Sequence, residues 1–381
     1  MTSRLIVNSI RHTGGSADAV TLASDGTCTA NITNNLSNRN VVINGEFRVN
    51  QRGDQTGITS SNFALDRWNL SPNNGGTWSV SQSTDTPNEF ANSIKLDCTT
   101  ADASLGAGDY ILFRQKLEGQ DCQAFAKGTS SAKQFAVSFY VKTNKSGVYT
   151  VELRDNDNSR TCAKTFTVSD ANWNRYTLIF PADTTGVLGN DNGDSLQLNF
   201  WLGAGSNLNS GTLQTSWGSQ TNANRVSSSN VNLADSTSNE WLITGIQLEV
   251  DQTGSGVATD FEHRSFGQEL DLCRRYCQVL SAGGNFTRFA LGYAPNSSSV
   301  RWFNHLRPEM RSTPSFAHSG SFNCQPGSSF SISEVSLESA SSSPQMAILL
   351  TDGNSGMSAG QAISLHANGD TNAKITFSSE L

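Results

Sequence analysis

Short segments in which apolar and polar residues alternate recur along most of the chain. Clear examples are residues 135–143 (FAVSFYVKT), 149–155 (YTVELRD) and 195–203 (SLQLNFWLG). Because successive side chains of a β-strand point to opposite faces, this period of two predicts strands with one face in a core. Turn-forming residues separate the segments and no helical pattern lies between them, so the chain is predicted to be all-β and built from two-sheet sandwiches.

Residues 241–278 mark the change from one predicted β domain to the next. Their first part alternates as a strand, and a loop of small and polar residues follows at 251–259. A short amphipathic helix is predicted over 266–278, with acidic residues early and arginines late, as the helix dipole favours. The side chains expected on the core face of the strand are Leu242, Thr244, Ile246, Leu248 and Val250.

The pattern divides the chain into four parts. Residues 1–40 form an N-terminal β-strand arm of three very short strands, which bury too little surface to be stable alone. Residues 41–265 form a jelly-roll β-sandwich, residues 266–278 the short linking helix, and residues 279–381 a C-terminal β-sandwich domain. The arm is interpreted as an anchoring and trimerisation segment that lies against copies of itself or another protein; a frayed leader is the alternative.

Charge and hydropathy argue against a nucleic-acid-binding protein and against a membrane protein. A net charge of −7 argues against a nucleic-acid partner, which requires a basic face. No run of about 18 apolar residues is present, so membrane insertion is not expected. The first residues lack the apolar core of a secretory signal, and the chain is expected to fold in a cytoplasm. The seven scattered cysteines, an odd number, are predicted to be reduced and structural.

Several motifs also resemble a known family. NRNVVINGEFRVNQRG at 38–53 and FALDRW at 63–68 are similar to the opening of bacteriophage fibre proteins found in phages of cyanobacteria and other marine bacteria. The resemblance continues through LITGIQLEV at 242–250, through 257–278 and into RPEMRSTPSF at 307–316, so that it spans nearly the whole chain. The early segment SRLIVNSIRHTGG resembles the short repeats with which such fibres begin.

The resemblance implies a virion structural protein, assembled in the host cytoplasm, with a sandwich similar to carbohydrate-binding modules. It implies a homotrimeric tail fibre that attaches to other virion proteins through residues 1–40 and binds a host cell-surface glycan. Three alternatives stay open: a capsid-decorating or head-fibre protein of the same fold, a spike that degrades surface polysaccharide, and a bacterial carbohydrate-binding module.

No residue pattern predicts catalysis. Glycoside hydrolysis needs two carboxylates that flank a sugar, and none of the acidic residues stands out by its spacing. The sequence has no GxSxG motif, and its five histidines are scattered. The chain is therefore predicted to bind rather than to catalyse.

Two acidic loops suggest a metal site. DNDNS at 155–159 and NDNGD at 190–194 offer carboxylate oxygens of the kind that calcium takes. A structural calcium is one interpretation, and ordinary turns are the other, because Asn and Asp are common turn residues and neither loop supplies a distal glutamate. The candidate ligands are Asp155, Asp157, Asp191 and Asp194.

Aromatic residues among polar neighbours suggest a sugar platform. In the alternating pattern, Trp201, Tyr140 and Trp241 point away from the predicted core, and Trp78 and Trp217 lie in predicted loops. An aromatic ring covers the apolar face of a pyranose while neighbouring amides bind its hydroxyls. These five residues are the glycan-binding candidates, and packing against loops or a neighbouring subunit is the alternative interpretation.

Overall fold

A computed structural model describes residues 7–15, 18–24, 28–30, 38–251, 256–325, 330–332, 334–352 and 356–381. Antiparallel sheets dominate this part of the chain, so the all-β prediction is confirmed. The three short strands expected in the N-terminal arm form one small sheet in the order β1–β2–β3. Their bounds are β1 (Ser9–Ile10), β2 (Val20–Leu22) and β3 (Cys28–Ala30).

The first large domain is a sandwich of two antiparallel sheets, as predicted. One sheet has six strands in the order β13–β10–β16–β8–β7–β4, and the other has seven in the order β15–β12–β11–β14–β9–β6–β5. The strands are β4 (Gln55–Ile58), β5 (Asn62–Phe63), β6 (Asn69–Asn73), β7 (Thr77–Ser83), β8 (Ser93–Thr100), β9 (Tyr110–Glu118), β10 (Phe135–Thr143), β11 (Gly147–Asp155), β12 (Arg160–Val168), β13 (Asn174–Phe180), β14 (Asp194–Ala204), β15 (Gly218–Ser219) and β16 (Glu240–Val250).

The core of this sandwich lies between the two sheets. Phe113 stacks on Trp68 with ring centroids 4.8 Å apart, and Phe200 reaches Phe139 of the opposite sheet at 5.1 Å in an edge-to-face arrangement. These positions follow from the alternation, because every second residue of β10 and β14 is apolar and faces inward, as do Ile111, Phe113 and Leu117 of β9. Between the strands lie the short helix α1 (Ser206–Asn209) and 3₁₀ turns at Gly119–Phe125, Asn222–Asn224 and Leu233–Asp235.

Strand β16 departs from the predicted alternation at Gly245. Gly245 has a φ of +61°, and the pairing of β16 with β10 shifts register at this point, as in a β-bulge. Trp241 and Ile243 therefore enter the core before the bulge, whereas Ile246 and Leu248 enter it afterwards. The expected placement of Leu242 and Thr244 on the core face was wrong, because the extra residue moves the side chains before it to the opposite face.

The linking helix is shorter than predicted. Helix α2 (Phe266–Arg274) begins with a capping box between Ser265 and Gln268. The predicted continuation to residue 278 was wrong, because β17 (Cys277–Ser281) pairs with β26 (Lys374–Ser378). The pairing partner lies about one hundred residues later, so local spacing could not reveal it.

The second large domain also contains two antiparallel sheets. A three-stranded sheet has the order β17–β26–β20, and a seven-stranded sheet has the order β22–β21–β25–β18–β19–β24–β23. The remaining elements are β18 (Arg288–Tyr293), β19 (Val300–His305), β20 (Ser315–Ser319), β21 (Phe322–Gln325), β22 (Phe330–Ser331), β23 (Ser336–Leu337), a 3₁₀ turn at Ser339–Ser341, β24 (Met346–Thr351) and β25 (Ala362–Ala367).

Buried ion pairs join the two large domains. Glu118, at the end of β9, receives two hydrogen bonds of 2.8 Å from Arg275 and a third from the Tyr276 hydroxyl. Arg67 is 1 % exposed, pairs with Glu380, and lies with its guanidinium carbon 3.4 Å from the centre of the Tyr276 ring. The second domain is therefore fixed to the first by two ion pairs whose carboxylates are buried, although Arg275 itself is 30 % exposed.

The cysteines with described side chains are buried, and the described helices are short. The six cysteines whose side chains the structure describes are buried and form no disulfide with one another. Burial raises the pKa of the Cys273 thiol well above its ordinary value, which makes the reactive thiolate scarce. Among the described residues, neither helix has the length and apolar character needed to cross a bilayer.

Candidate functional site

Three of the five predicted platform aromatics are inaccessible. Trp78, Trp201 and Trp241 are at most 2 % exposed, so a sugar cannot stack on them in this structure and the prediction is corrected. Trp241 turns into the core because of the bulge at Gly245. Trp78 packs in the same core, and its indole nitrogen donates a 2.8 Å hydrogen bond to the carbonyl of Gly75.

Trp201 points away from the sandwich core, as predicted, but a loop covers it. Leu208 of α1 and Val226 pack on its ring, and its indole nitrogen donates a 3.2 Å hydrogen bond to Glu152. The guanidinium carbon of Arg225 lies 4.9 Å from the ring centre. The covering segment has no strong periodicity, so the sequence pattern gave the direction of the side chain but not its burial.

Tyr140 and Trp217 are half-buried and engaged by neighbours. Tyr140 contacts Phe90 with ring centroids 5.2 Å apart. Trp217 contacts Phe135 at 5.6 Å and donates a 2.8 Å hydrogen bond to the carbonyl of Pro181. A sugar-binding role for these two rings stays a prediction.

The outer face of the seven-stranded sheet instead presents two rows of polar side chains. The first row, across β6, β9, β14 and β11, consists of Asn69, Arg114, Asn199 and Glu152. The second row, across β9, β14 and β11, consists of Lys116, Gln197 and Arg154. We call these two rows, together with Asp194 at the start of β14 and Arg225 from the covering loop, the polar face.

Several charged groups of the polar face neutralise one another. Glu152 is fully buried and receives two 2.8 Å hydrogen bonds from Arg225 and one of 3.0 Å from Asn199. Lys116 lies 3.1 Å from Asp194. These pairs orient the side chains around the middle of β14, because each charge is held by a partner on a neighbouring strand or loop.

Arg114 lies at the centre of the polar face without such a partner. Its Nε atom is buried and has no hydrogen-bond partner among the described residues, and the same is true of Asn199 Oδ1 and Asp194 Oδ1. Burial lowers the pKa of Arg114, and the charges of Arg154 and Arg225 lower it further, against the opposing effects of Tyr110 and Asp194. These three atoms are enclosed by the protein, whereas the Arg114 side chain as a whole is half-buried and reaches the surface of the polar face.

The two acidic loops lie next to each other, but two of their four carboxylates are already paired. Asp155 is buried and forms an ion pair with Lys127, and Asp194 pairs with Lys116. Asp157 accepts a 2.8 Å hydrogen bond from the backbone of Gly189, and Asp191 accepts one from Gly193 at the same distance. Among the described residues, no group of three or more His, Cys, Asp and Glu side chains is arranged to hold a metal, and calcium binding stays a prediction.

A cleft of about 630 Å³ lies where helix α2 meets both domains. Glu262 in its wall accepts hydrogen bonds from the backbone of Arg39 at 2.9 Å and Asn40 at 2.8 Å. Arg264 binds the carbonyl of Val42 at 3.0 Å, and Arg275 binds Glu118. Because protein partners already hold these charges, the cleft is a seam between domains, and the polar face is the better candidate site.

The sequence contained part of the signal for the polar face. Gln197 and Asn199 alternate with apolar residues on β14, so a polar face was foreseeable on that strand, whereas the polar Gln115 between Arg114 and Lys116 obscures the alternation on β9. That these strands are neighbours was not foreseeable, because β9 and β14 are far apart in the chain. Arg225 lies in an irregular loop, where no pattern in the sequence indicates that its side chain reaches the polar face.

Comparisons with known proteins returned distant structural similarities only. No protein-family model and no curated protein sequence matched the chain. Among solved structures, the CBM22-1–GH10 modules of xylanase 10B from Clostridium thermocellum are 13% identical over 56% of this chain and 29% of theirs, with a TM-score of 0.28.

Two other matches are carbohydrate-binding modules by description. The family 11 module of the cellulase Lic26A-Cel5E of Clostridium thermocellum is 12% identical over 56% of this chain and 98% of its own, with a TM-score of 0.27. TmCBM61, solved in complex with β-1,4-galactotriose, is 7% identical over 56% of this chain and 99% of its own, also with a TM-score of 0.27. The sandwich is established by the strand pairing itself, and similarities this distant add no argument about the ligand.

Proposed function

We propose that the chain is a glycan-binding structural protein of a bacteriophage virion, which binds polysaccharide on the polar face of its first sandwich. The observation that carries the binding proposal is the group of half-buried cations Arg114, Lys116 and Arg154 on one sheet face, where Arg114 and Arg154 have no ion-pair partner among the described residues. Sugars present many hydroxyl groups, which donate and accept hydrogen bonds at once. A face whose guanidinium and ammonium donors reach the surface is suited to such a ligand.

The geometry of the polar face also suits an extended polymer. Its two rows cross at least three neighbouring strands, so hydrogen-bonding groups are spaced about 5 Å apart across the sheet, close to the length of a sugar ring. Tyr110 is half-buried beside the polar face, and its ring centroid lies 5.9 Å from that of Trp201. An aromatic ring is therefore present at the first residue of β9. The proposed role is binding without catalysis.

The phage assignment rests on the sequence resemblance. The motifs NRNVVINGEFRVNQRG and FALDRW and the segment 257–278 support a fibre protein that attaches through residues 1–40. Ile10 and Leu22 of the arm are 54 % and 40 % exposed, which suits a segment completed by another chain. Detection of the chain in purified virus particles by mass spectrometry tests this assignment, and its absence from them would overturn it.

Homotrimer formation is part of the proposal and is supported by the second domain. Leu291, Tyr293 and Phe303 are exposed by 69 %, 42 % and 39 %. Leu291 lies opposite Phe303 and then Ile348 across three strands of one sheet, so these apolar side chains form a continuous patch. A patch of this kind on a soluble protein marks an interface, and we assign it to further copies of the same chain.

Polysaccharide binding by the purified full chain tests the proposed function. We expect Tyr110→Ala to weaken binding about tenfold, because it removes the half-buried aromatic ring beside the polar face. Asn174→Ala, on β13 of the opposite sheet, is the control and should bind as the wild type does. Calorimetry against a panel of neutral and acidic polysaccharides gives the affinities, and thermal unfolding verifies that both variants fold. A wild-type chain that binds no member of the panel contradicts the proposal.

A further inference from the structure

We infer that the polar face selects acidic polysaccharides, and that Arg114 and Arg154 bind a carboxylate or sulfate group of the polymer. The inference rests on the proposed function and narrows its ligand. Its basis is the pairing of charges on the face. The face carries four cations, namely Arg114, Lys116, Arg154 and Arg225, and two carboxylates, namely Glu152 and Asp194. Its positive charges therefore exceed its negative charges by two.

The excess belongs to Arg114 and Arg154. Arg225 is compensated by Glu152 and Lys116 by Asp194. The polar contacts of Arg154 are to neutral amides, at 2.8 Å to Gln220 and 3.4 Å to Gln197. The chain as a whole has a net charge of −7, so a sheet face with two guanidinium groups that have no ion-pair partner differs in sign from the rest of the molecule.

The two arginines are placed to act on one ligand. Arg114 lies on β9 and Arg154 on β11, and β14 runs between them. Strands two apart in a sheet are separated by about 10 Å, and each arginine side chain can extend several ångströms toward the gap. The buried side chains of Asn199 and Gln197 on β14 lie between them, so an anionic group bound above β14 would meet guanidinium donors from both sides.

The lowered pKa values of Arg114 and Arg154 agree with an anion bound between these two side chains. Burial lowers the pKa of Arg114, and Arg154 and Arg225 lower it further; burial and Arg225 likewise lower the pKa of Arg154. Arg114 and Arg154 are therefore each destabilised by neighbouring positive charge. A bound anion would relieve this repulsion, because a guanidinium group forms paired hydrogen bonds with carboxylate or sulfate oxygens.

Three polymers separate the sources of the anionic group. Alginate carries carboxylates, dextran sulfate carries sulfates, and dextran is neutral. We expect the full chain to bind at least one of the two acidic polymers about tenfold or more tightly than dextran in calorimetry. We also expect this binding to weaken as the salt concentration is raised from about 0.05 M to about 0.5 M, since added ions screen the charges.

Variants at one position test the role of the guanidinium group. Arg114→Gln should lower the affinity for the acidic polymer about tenfold or more, and Arg114→Lys should fall between it and the wild type, because lysine keeps the charge but not the paired donors. The matched control is Arg175→Gln, an exposed arginine on the other sheet, and it should not change binding. Circular dichroism and thermal unfolding verify that each variant is folded.

The outcomes distinguish this inference from the proposed function. Preference for alginate identifies a carboxylate, and preference for dextran sulfate identifies a sulfate. Equal binding of all three polymers, or unchanged binding of folded Arg114→Gln, overturns the inference and leaves glycan binding intact. Failure to bind both acidic polymers at low salt overturns the inference, and failure to bind any polysaccharide also overturns the proposed function.

Discussion

The left-handed backbone of Gly245 determines which side chains of β16 enter the core. Its φ of +61° is a conformation that glycine adopts freely and other residues do not. A Cβ atom at this position would lie 2.7 Å from the ring of Phe90 and 3.0 Å from that of Tyr140. Trp241 enters the core on one side of this glycine and Ile246 on the other, so one residue sets the phase of the whole strand.

Replacing this glycine should destabilise the first sandwich. We expect Gly245→Ala to lower the free energy of unfolding by about 2–4 kcal/mol, from backbone strain together with crowding against Phe90. Gly57 is the matched control, with a φ of +69° and no atom within 4 Å of the added Cβ. Gly57→Ala should therefore lower the free energy of unfolding by only about 1 kcal/mol, because it adds backbone strain without crowding. Urea unfolding followed by tryptophan fluorescence measures both, and equal losses would contradict the argument.

Strands were predictable from residue alternation, whereas burial across the molecule was not. The strand containing Phe135 and Phe139 and the strand containing Leu198 and Phe200 are where alternation places them. An isolated glycine inside a strand often marks a bulge, so Gly245 was a local signal, but it does not show which side chains the bulge moves to the opposite face. The covering of Trp201 by residues near 208 and 226 depends on an irregular loop, which carries no periodic signal.

Helix α2 stabilises the contact between the two domains mainly through the two residues that follow it. Arg275 and Tyr276, just beyond its last turn, both bind the buried carboxylate of Glu118 on β9. Burial raises the pKa of Glu118, but the hydrogen bonds from Arg275 and Tyr276 outweigh it and hold the pKa below its ordinary 4.5. The carboxylate is thus stabilised in its charged form, and its protonation loosens the joint between domains.

The stabilisation by Glu118 should depend on pH in a defined direction. Because the pKa is lower in the folded than in the unfolded state, the contribution is fully present above about pH 4.5 and is lost as the pH falls through the folded value. We expect Glu118→Gln to cost about 3 kcal/mol at pH 7, since it leaves Arg275 without its counter-charge. The difference between wild type and variant should shrink toward pH 3.

Urea unfolding at pH 7, 5 and 3 measures this difference. The control is Glu240→Gln, which removes the ion pair with Lys95, whose side chains are 37% and 31% exposed. A pair of this exposure contributes less than about 1 kcal/mol. A cost of Glu118→Gln that stays constant down to pH 3 would show that the carboxylate does not act through its charge.

At the scale of the whole molecule, two sandwiches held rigidly together present different surfaces. The first carries the polar face, and the second carries the apolar patch of Leu291, Tyr293 and Phe303. If the patch joins copies of the chain, each assembly displays several polar faces at once. Weak binding at each face then adds up to firm attachment to a polymer, because the second and third contacts become intramolecular.

The apolar patch predicts the mass of the protein in solution. The full chain should have about three times the chain mass of 40.8 kDa in light scattering, and the double variant Leu291→Asp, Phe303→Asp should shift toward a single chain. Val187→Asp is the control, because Val187 is 60 % exposed but lies in a loop of the first domain. A wild-type protein that has the mass of one chain at micromolar concentration refutes the assignment of the patch to further copies.

The ion pair between Arg67 and Glu380 has a consequence for biosynthesis. The two residues are separated by 313 positions, so at about 5–20 residues per second a ribosome makes them roughly 15–60 s apart. For that interval the nascent first sandwich holds an arginine whose counter-charge has not been translated. Its final packing against Glu380 must therefore wait until that residue has been translated, and factors that shield nascent chains have access to this side of the sandwich during that interval.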